Sequence, residues 1–156
     1  MKANLGGKFR IGISGGAPLA KEIAEFFHSL DVLILEGYGL TECTTAASVN
    51  RPSRFRFGTV GPALPGTELR IADDGEVLIK GPNIFQGYYK NEKATAETLE
   101  DGWLHTGDLG RLDEDGFLTL NGRKKHMFVT AYGRNVNPEW VEAELAQQAP
   151  IAQAWL

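Results

Sequence analysis

The sequence predicts an α/β fold (an α+β fragment): a βαβ piece of a parallel sheet, then a small antiparallel β-barrel or sheet, then the start of a small α+β domain. Two short apolar runs separated by an amphipathic stretch indicate parallel strands joined by a helix. Further on, two Asp-Gly pairs lie between strand-like runs, which is typical of antiparallel hairpins. With 156 residues, 42% of them hydrophobic, the chain is long enough for one domain with a core.

The βαβ unit is predicted over residues 1–57. Arg10–Ser14 forms the first strand, and the glycine loop Gly15–Pro18 leads into a helix with Pro18 near its first turn, where a missing N–H is harmless. Val32–Leu35 is wholly apolar, as expected of a strand covered on both faces of a parallel sheet. Between them, one helical face collects the apolar residues Leu19, Ile23, Phe26, Phe27 and Leu30.

The barrel-like subdomain is predicted over residues 58–122. Strands Glu68–Ala72 and Glu76–Lys80 are joined by an Asp-Gly turn, in which glycine supplies a positive φ. Asn91 caps a short helix that continues to about residue 99. A second hairpin, also turning on Asp-Gly, is predicted over Gly110–Leu120.

Residues 123–125 are predicted to form an interdomain hinge, and residues 126–156 an incomplete start of a small C-terminal domain. This last part contains a strand over His126–Thr130, a loop over Ala131–Asn135 and a helix that begins at Asn137–Pro138. Because about thirty residues cannot bury a core of their own, we expect this domain to continue beyond the chain.

Charge and composition exclude several classes of function. The net charge of −4 argues against nucleic acid as a partner, since phosphate backbones require a basic surface. A single cysteine, Cys43, rules out a disulfide framework and a cysteine zinc site, and its setting favours a small buried filler. The three histidines lack metal-ligand spacing. The sequence has no run of 18 apolar residues and no apolar signal core at its N-terminus, so we expect a cytoplasmic protein. Peripheral membrane contact by a parent protein and the oligomeric state stay open.

Two glycine-rich loops, Ser14–Pro18 and Gly37–Thr41, follow the two predicted parallel strands. Open α/β sheets bind ligands in the crevice beyond these carboxyl ends, and glycine allows close backbone approach. Tight turns alone would also explain the glycines. The segment Tyr38–Glu42 adds an aromatic face, a hydroxyl and a carboxylate, which can stack on a base, donate to a phosphate and hold Mg²⁺ through oxygen.

These segments carry a family resemblance. Tyr38-Gly-Leu-Thr-Glu42 resembles the core motif of the superfamily of acyl-CoA ligases, nonribosomal peptide adenylation domains and firefly-type luciferases. Four further motifs follow that family's order and span nearly the whole chain: an adenine loop (Ser14–Pro18), a barrel motif (Gly75–Tyr88), a ribose motif (Trp103–Asp108) and a hinge motif (Gly122–Lys125). Three details, Glu36–Tyr38, Trp103–His105 and Asn135–Glu139, are most similar to the long-chain fatty-acid branch.

The resemblance implies a role for individual residues. Thr41, Glu42 and Lys125 would serve catalysis: Thr41 by donating to the α-phosphate, Glu42 by ligating Mg²⁺, and Lys125 as the pivot between domains. Asp108 would accept both ribose hydroxyls. Nucleotide or CoA contacts are implied for Gly15, Gly16, Ala17, Pro18, Glu36, Gly37, Tyr38, Gly39, Thr41, Asp108, Arg123 and Gly133.

Within that set, the roles differ. Ala17 and Pro18 would line the adenine pocket and Tyr38 would stack on the ring. Arg123 would pair with the ribose or a phosphate, and Gly133 would lie beside the pantetheine channel. Two plainer interpretations stay open, in which the carboxylate after Thr-Gly belongs to an ordinary turn and the basic hinge residues form a solvated edge.

The implied reaction is ATP-dependent activation of a long-chain fatty acid to acyl-AMP, followed by transfer to CoA, with ATP, the fatty acid and CoA as small-molecule substrates and Mg²⁺ as the metal. The family's Ser/Thr/Gly-rich phosphate loop and its C-terminal adenylation lysine have no counterpart here, so the isolated chain is expected to be inactive. Two alternatives remain: an acyl-AMP ligase that loads a carrier protein, and a catalytically silent truncated or interaction fragment.

Overall fold

The computed structural model describes residues 2–129, 135–138, 141–142 and 145. Two α-helices have both ends among the described residues, namely α1 (Lys21–Ser29) and α2 (Glu92–Thr98), and short 3₁₀ helices span Lys2–Leu5 and Thr41–Cys43. The strands are β1 (Gly12–Ser14), β2 (Ile34–Tyr38), β3 (Ser48–Val49), β4 (Glu68–Ile71), β5 (Glu76–Lys80), β6 (Leu99–Glu100), β7 (Trp103–Leu112), β8 (Leu118–Arg123), β9 (Phe128–Val129) and β10 (Asn135–Val136).

The predicted βαβ unit is confirmed, with changed bounds. Strands β1 and β2 pair in parallel, with Gly12 opposite Ile34, and α1 connects them. β2 begins two residues later than predicted and continues to Tyr38, so part of the expected second glycine loop is strand. Pro18 lies two residues before the N-cap Ala20, so it precedes the first helical turn, near which it was predicted.

The apolar face of α1 is only partly covered by the described residues. Ala24 is buried, whereas Ile23 and Phe26 are 47% and 57% exposed. The helix therefore packs against β2 through a narrower contact than its amphipathic pattern predicts.

The antiparallel subdomain forms as predicted, as a five-stranded sheet. Its strands lie in the order β4-β5-β7-β6, and β8 pairs with the other part of the long strand β7. Gly75 and Gly116 adopt φ values of 87° and 79° in the two Asp-Gly turns, which L-residues with a side chain rarely adopt. Asn91 caps α2 by accepting a hydrogen bond from the Ala94 amide at 3.1 Å.

One core joins the two parts. Val77, Ile79, Leu104 and Leu118 of the antiparallel sheet share a buried cluster with residues that follow or end β2, namely Tyr38, Cys43 and Ala47. Cys43 is fully buried, and burial raises the pKa of its thiol, which agrees with the structural role predicted for it. The end of β2 is thereby fixed against the barrel-like subdomain.

Beyond residue 123, the chain forms a two-residue ladder in which Asn135 lies opposite Val129. The sequence assigns Asn135 to a loop, and this is wrong, because its backbone pairs with β9. The predicted helix start is confirmed at Pro138, and the Val141 amide donates to the Asn137 carbonyl at 3.3 Å. Among the described residues, no helix is both long and apolar enough to cross a membrane.

Candidate functional site

A cleft opens where β1 and β2 end and the antiparallel sheet packs against them. It consists of two adjoining cavities of about 570 and 780 Å³, and both are lined by Gly16, Gly37, Tyr38, Gly39 and Arg123. The strand ends of a parallel pair thus face a cleft of the size expected for a small ligand.

Asp108 on β7 lies in the larger cavity and is 7% exposed. Its Oδ2 accepts a hydrogen bond from the Tyr38 hydroxyl at 2.5 Å, and its Oδ1 accepts one from Arg123 Nε at 2.8 Å. A carboxylate has about four acceptor positions, so each oxygen can still accept one more donor. The arrangement holds the carboxylate in one orientation while leaving it able to accept from a vicinal diol.

Tyr38 keeps its proton in this arrangement. Burial, followed by the hydrogen bond to Asp108 and the charge of that carboxylate, raises the pKa of Tyr38 well above its usual range. The hydroxyl is therefore a fixed donor, and Tyr38 lines the larger cavity.

Glu36 lines the same cavity together with Ala17 and Pro18. It is 9% exposed, and its Oε1 accepts from the Leu19 amide at 3.4 Å. Burial raises the pKa of Glu36, and this effect exceeds the opposing effect of the Leu19 hydrogen bond. The carboxyl is thereby directed at the loop that precedes α1.

Thr41 and Glu42 line the smaller cavity with Gly15 and Gly16. Both belong to the short 3₁₀ helix that follows β2. Oε1 of Glu42 accepts from the Tyr88 hydroxyl at 2.7 Å. The chain path immediately after β2 thus presents a hydroxyl and a carboxylate to the same space.

The chain path after β2 requires glycine at position 39, because there is no room for a side chain there. A Cβ at this position would lie 1.8 Å from the Thr45 carbonyl oxygen. We expect Gly39→Ala to destabilise the full-length protein by about 1–3 kcal/mol or more, because the contacting atom is backbone and cannot move aside. Gly12→Ala is the matched control, since its Cβ would meet the Phe9 side chain at 3.3 Å. Urea unfolding measures both, and equal midpoints for the two variants would contradict the packing argument.

The first two residues of the predicted hinge are held by ion pairs to the antiparallel subdomain. Arg123 pairs with Asp108, and the Lys124 ammonium pairs with Asp74 and, at 3.3 Å, with Glu76 Oε2. Lys125 is exposed and lines neither cavity.

Most of the predicted site residues are brought together. The residues that line one or both cavities are Gly15, Gly16, Ala17, Pro18, Glu36, Gly37, Tyr38, Gly39, Thr41, Glu42, Asp108 and Arg123. Lys125 lies apart from them, and Gly133 is outside the described residues.

Sequence reasoning assigned no role to two residues that contact the site or its hinge. Tyr88 falls inside the quoted barrel motif, but its partner Glu42 is 46 positions away. Lys124 lies between two residues with assigned roles, and its partners Asp74 and Glu76 flank the Gly75 turn. The run of basic residues at 123–125 predicts ion pairs at this position, but it does not indicate which acidic residue each one binds.

The carboxylate of Glu42 suits a magnesium ion. Mg²⁺ takes oxygen ligands and is commonly held by one or two carboxylates together with substrate phosphates. Among the described residues, no group of three or more His, Cys, Asp or Glu side chains could form an all-protein metal cage. A single carboxylate such as that of Glu42 could hold this ion only together with ligands from a bound substrate or water.

Residues 1–89 match the family described as AMP-binding enzyme. The chain belongs to this family. It is 48% identical over 154 residues to the long-chain-fatty-acid–CoA ligase FadD15 of Mycobacterium bovis, and this match covers 99% of this chain and 26% of that protein. It is 37% identical over 169 residues to human long-chain-fatty-acid–CoA ligase 1, and this match covers all of this chain and 24% of that protein. The chain thus spans about a quarter of the length of these curated relatives.

Solved structures of similar fold include complexes with nucleotides. An o-succinylbenzoate CoA synthetase from Bacillus subtilis, bound to its acyl-adenylate intermediate, superposes with a TM-score of 0.87 at 29% identity, over 98% of this chain and 35% of that one. The same enzyme with ATP and a magnesium ion gives a TM-score of 0.84 at 28% identity, over 97% and 35%. The mixed α and β architecture of the AMP-binding family member is thereby established.

Proposed function

We propose that this chain supplies the adenylate-binding part of an AMP-forming ligase that activates a long-chain fatty acid and transfers it to CoA. Family membership and the names of the relatives support this proposal. One observation carries it: Asp108 is held between Tyr38 and Arg123 at a cleft bordered by the two glycine loops. A buried carboxylate fixed in this way suits the two adjacent hydroxyls of a ribose.

The nucleoside would occupy the larger cavity. The adenine would lie between the loop at Ala17–Pro18 and the ring of Tyr38, and both ribose hydroxyls would donate to Asp108. Arg123 would hold the carboxylate and contact the ribose or a phosphate. The cavity lining supplies apolar surface for the neutral base and a hydrogen-bond acceptor for the two hydroxyls of the ribose.

The phosphates would extend into the smaller cavity. There the Thr41 hydroxyl would donate to the α-phosphate, and Glu42 would hold Mg²⁺. The ion, when bound, offsets phosphate charge and polarises phosphoryl oxygens. The residues of this chain orient the α-phosphate for in-line attack.

The reaction then has two steps. A carboxylate oxygen of the fatty acid attacks the α-phosphorus, and the bond to pyrophosphate breaks, which leaves acyl-AMP. The CoA sulfur next attacks the acyl carbonyl carbon, the bond to the AMP oxygen breaks, and the thiol proton passes to solvent. Lys125 would be the pivot that exchanges the two active conformations, and Gly133 would border the pantetheine channel.

The partners in this proposal are ATP, a fatty acid and CoA, in the cytoplasm. The acidic balance of the chain supports small-molecule substrates over nucleic acid.

Palmitate-dependent exchange of pyrophosphate into ATP tests the proposal. We expect exchange with the full-length protein and CoA-dependent AMP release, at rates in the usual range of about 1–10³ per second. The 156-residue chain alone should give neither, because it lacks the family's phosphate loop and adenylation lysine. Comparable turnover by the isolated chain would contradict the assignment of missing catalytic groups, and no exchange by the full-length protein would contradict the function itself.

A further inference from the structure

We infer that Tyr88 is a positioning residue for the Glu42 carboxylate and thereby sets the affinity of the site for Mg²⁺; this inference rests on the proposed function. The Tyr88 hydroxyl donates to Oε1 of Glu42 at 2.7 Å. Of the described residues, it is the one that hydrogen-bonds this carboxylate. The two side chains come from opposite parts of the fold, so the contact is tertiary.

Tyr88 is held in place by residues on both sides of it in the sequence. Its amide donates to Thr95 Oγ1 at 2.9 Å, and that hydroxyl donates to the Asn91 carbonyl at 2.9 Å. The ring packs edge-on against Phe85 with centroids 4.9 Å apart. Gly87 has a φ of 142°, and a Cβ there would lie 2.6 Å from Thr95 Cγ2, so this close approach requires glycine.

The residues just before Tyr88 hold the backbone around Glu42. The Phe85 amide donates to the Glu42 carbonyl at 2.8 Å. The Asn83 side-chain amide donates to the Cys43 and Ala46 carbonyls at 3.2 and 3.0 Å. Residues 83–88 thus fix both the main chain and the side chain of the proposed metal ligand.

The hydrogen bond distinguishes the two oxygens of the Glu42 carboxylate. Oε1 accepts from Tyr88, and among the described residues Oε2 accepts no hydrogen bond, so Oε2 keeps both lone pairs for a cation. A group that already orients a metal ligand reduces the conformational freedom that this ligand loses when it binds the ion.

Tyr88→Phe in the full-length protein removes the hydroxyl and keeps the ring. We expect the Mg²⁺ concentration at half-saturation of ATP binding, measured without fatty acid, to rise about tenfold, the lower end for partners of this kind because Tyr88 is 37% exposed. AMP binding without Mg²⁺ should not change. Tyr89→Phe is the matched control, since this neighbour is 87% exposed and lies outside the site.

Glu42→Gln separates this inference from the proposed function. In that background, Tyr88→Phe should add no further change, because the carboxylate it orients is gone. If Glu42→Gln raises the Mg²⁺ concentration at half-saturation of ATP binding and Tyr88→Phe does not, the inference is wrong and the proposed metal site stands. If Glu42→Gln has no effect, both are wrong. Loss of AMP binding in Tyr88→Phe would contradict a role confined to the metal.

Discussion

Replacing Lys125 by proline in the full-length protein should leave acyl-adenylate formation largely intact while slowing thioester formation by about a hundredfold or more. Proline fixes φ near −65° and also restricts the residue before it, so a rotation about this position is blocked. A catalyst trapped in its first conformation still activates the acid but presents the wrong geometry to CoA. Pyrophosphate release and acyl-CoA appearance time the two steps separately.

The structure gives a reason to choose this residue over its neighbours. Arg123 and Lys124 are tied by ion pairs to Asp108 and to the acidic pair Asp74 and Glu76. Lys125 is the next residue along the chain and is exposed, so a backbone rotation there breaks neither anchor. The anchored residues would stay with the large domain while the chain beyond them turns.

Lys125→Ala is the matched control, because it removes the same side chain and keeps the backbone free. It should slow thioester formation far less than proline does. The His126 amide donates to the Arg123 carbonyl at 3.0 Å, so proline could also disturb this turn and displace the anchors. In that case both half-reactions would slow together, and Lys125 would be part of a charged connector and not the pivot.

Replacing Asp108 by alanine in the full-length protein should weaken ATP binding by about 1.5–3 kcal/mol for each charge-assisted hydrogen bond to the ribose that is lost. The loss should shrink with 2′,3′-dideoxy-ATP, which has no hydroxyls to donate. Isothermal titration with the two nucleotides gives the difference directly. Equal losses for both would mean that Asp108 is structural.

A second variant separates the ribose contact from the packing around it. Asp108→Ala leaves the Tyr38 hydroxyl and the Arg123 guanidinium without this acceptor, and an unpaired donor on the buried Tyr38 is itself destabilising. Tyr38→Phe removes one of these donors and keeps Asp108. We expect Tyr38→Phe to weaken ATP binding less than Asp108→Ala, because the carboxylate stays able to accept from the diol.

Local patterns predicted most of the fold. The Asp-Gly turns, the Asn91 cap and the two parallel strands follow from short-range physics: positive φ at glycine, satisfaction of an exposed amide, and apolar runs of strand length. Element ends were less accurate. β2 extends through Glu36–Tyr38 because β1 pairs with it to Glu36 and β3 with its last two residues, contacts that no local pattern encodes.

The candidate site was predictable in its parts and not in its connections. Tyr38, Thr41 and Glu42 are neighbours in sequence, and their convergence on one cleft follows from the strand end. The bonds from Tyr38 to Asp108 and from Tyr88 to Glu42 join residues 70 and 46 positions apart. Such pairs depend on how the two sheets pack, which is a tertiary property. The exposed face of α1 was missed for the same reason.

The most direct test of the central claim is a crystal structure of the full-length protein with ATP or a palmitoyl-adenylate analogue bound. We expect both ribose hydroxyls to lie within about 3.2 Å of the Asp108 carboxylate oxygens, with the adenine between Ala17–Pro18 and the ring of Tyr38. The α-phosphate should lie beside Thr41. A nucleotide bound elsewhere, or one in this cleft whose ribose hydroxyls point away from Asp108, would contradict the account.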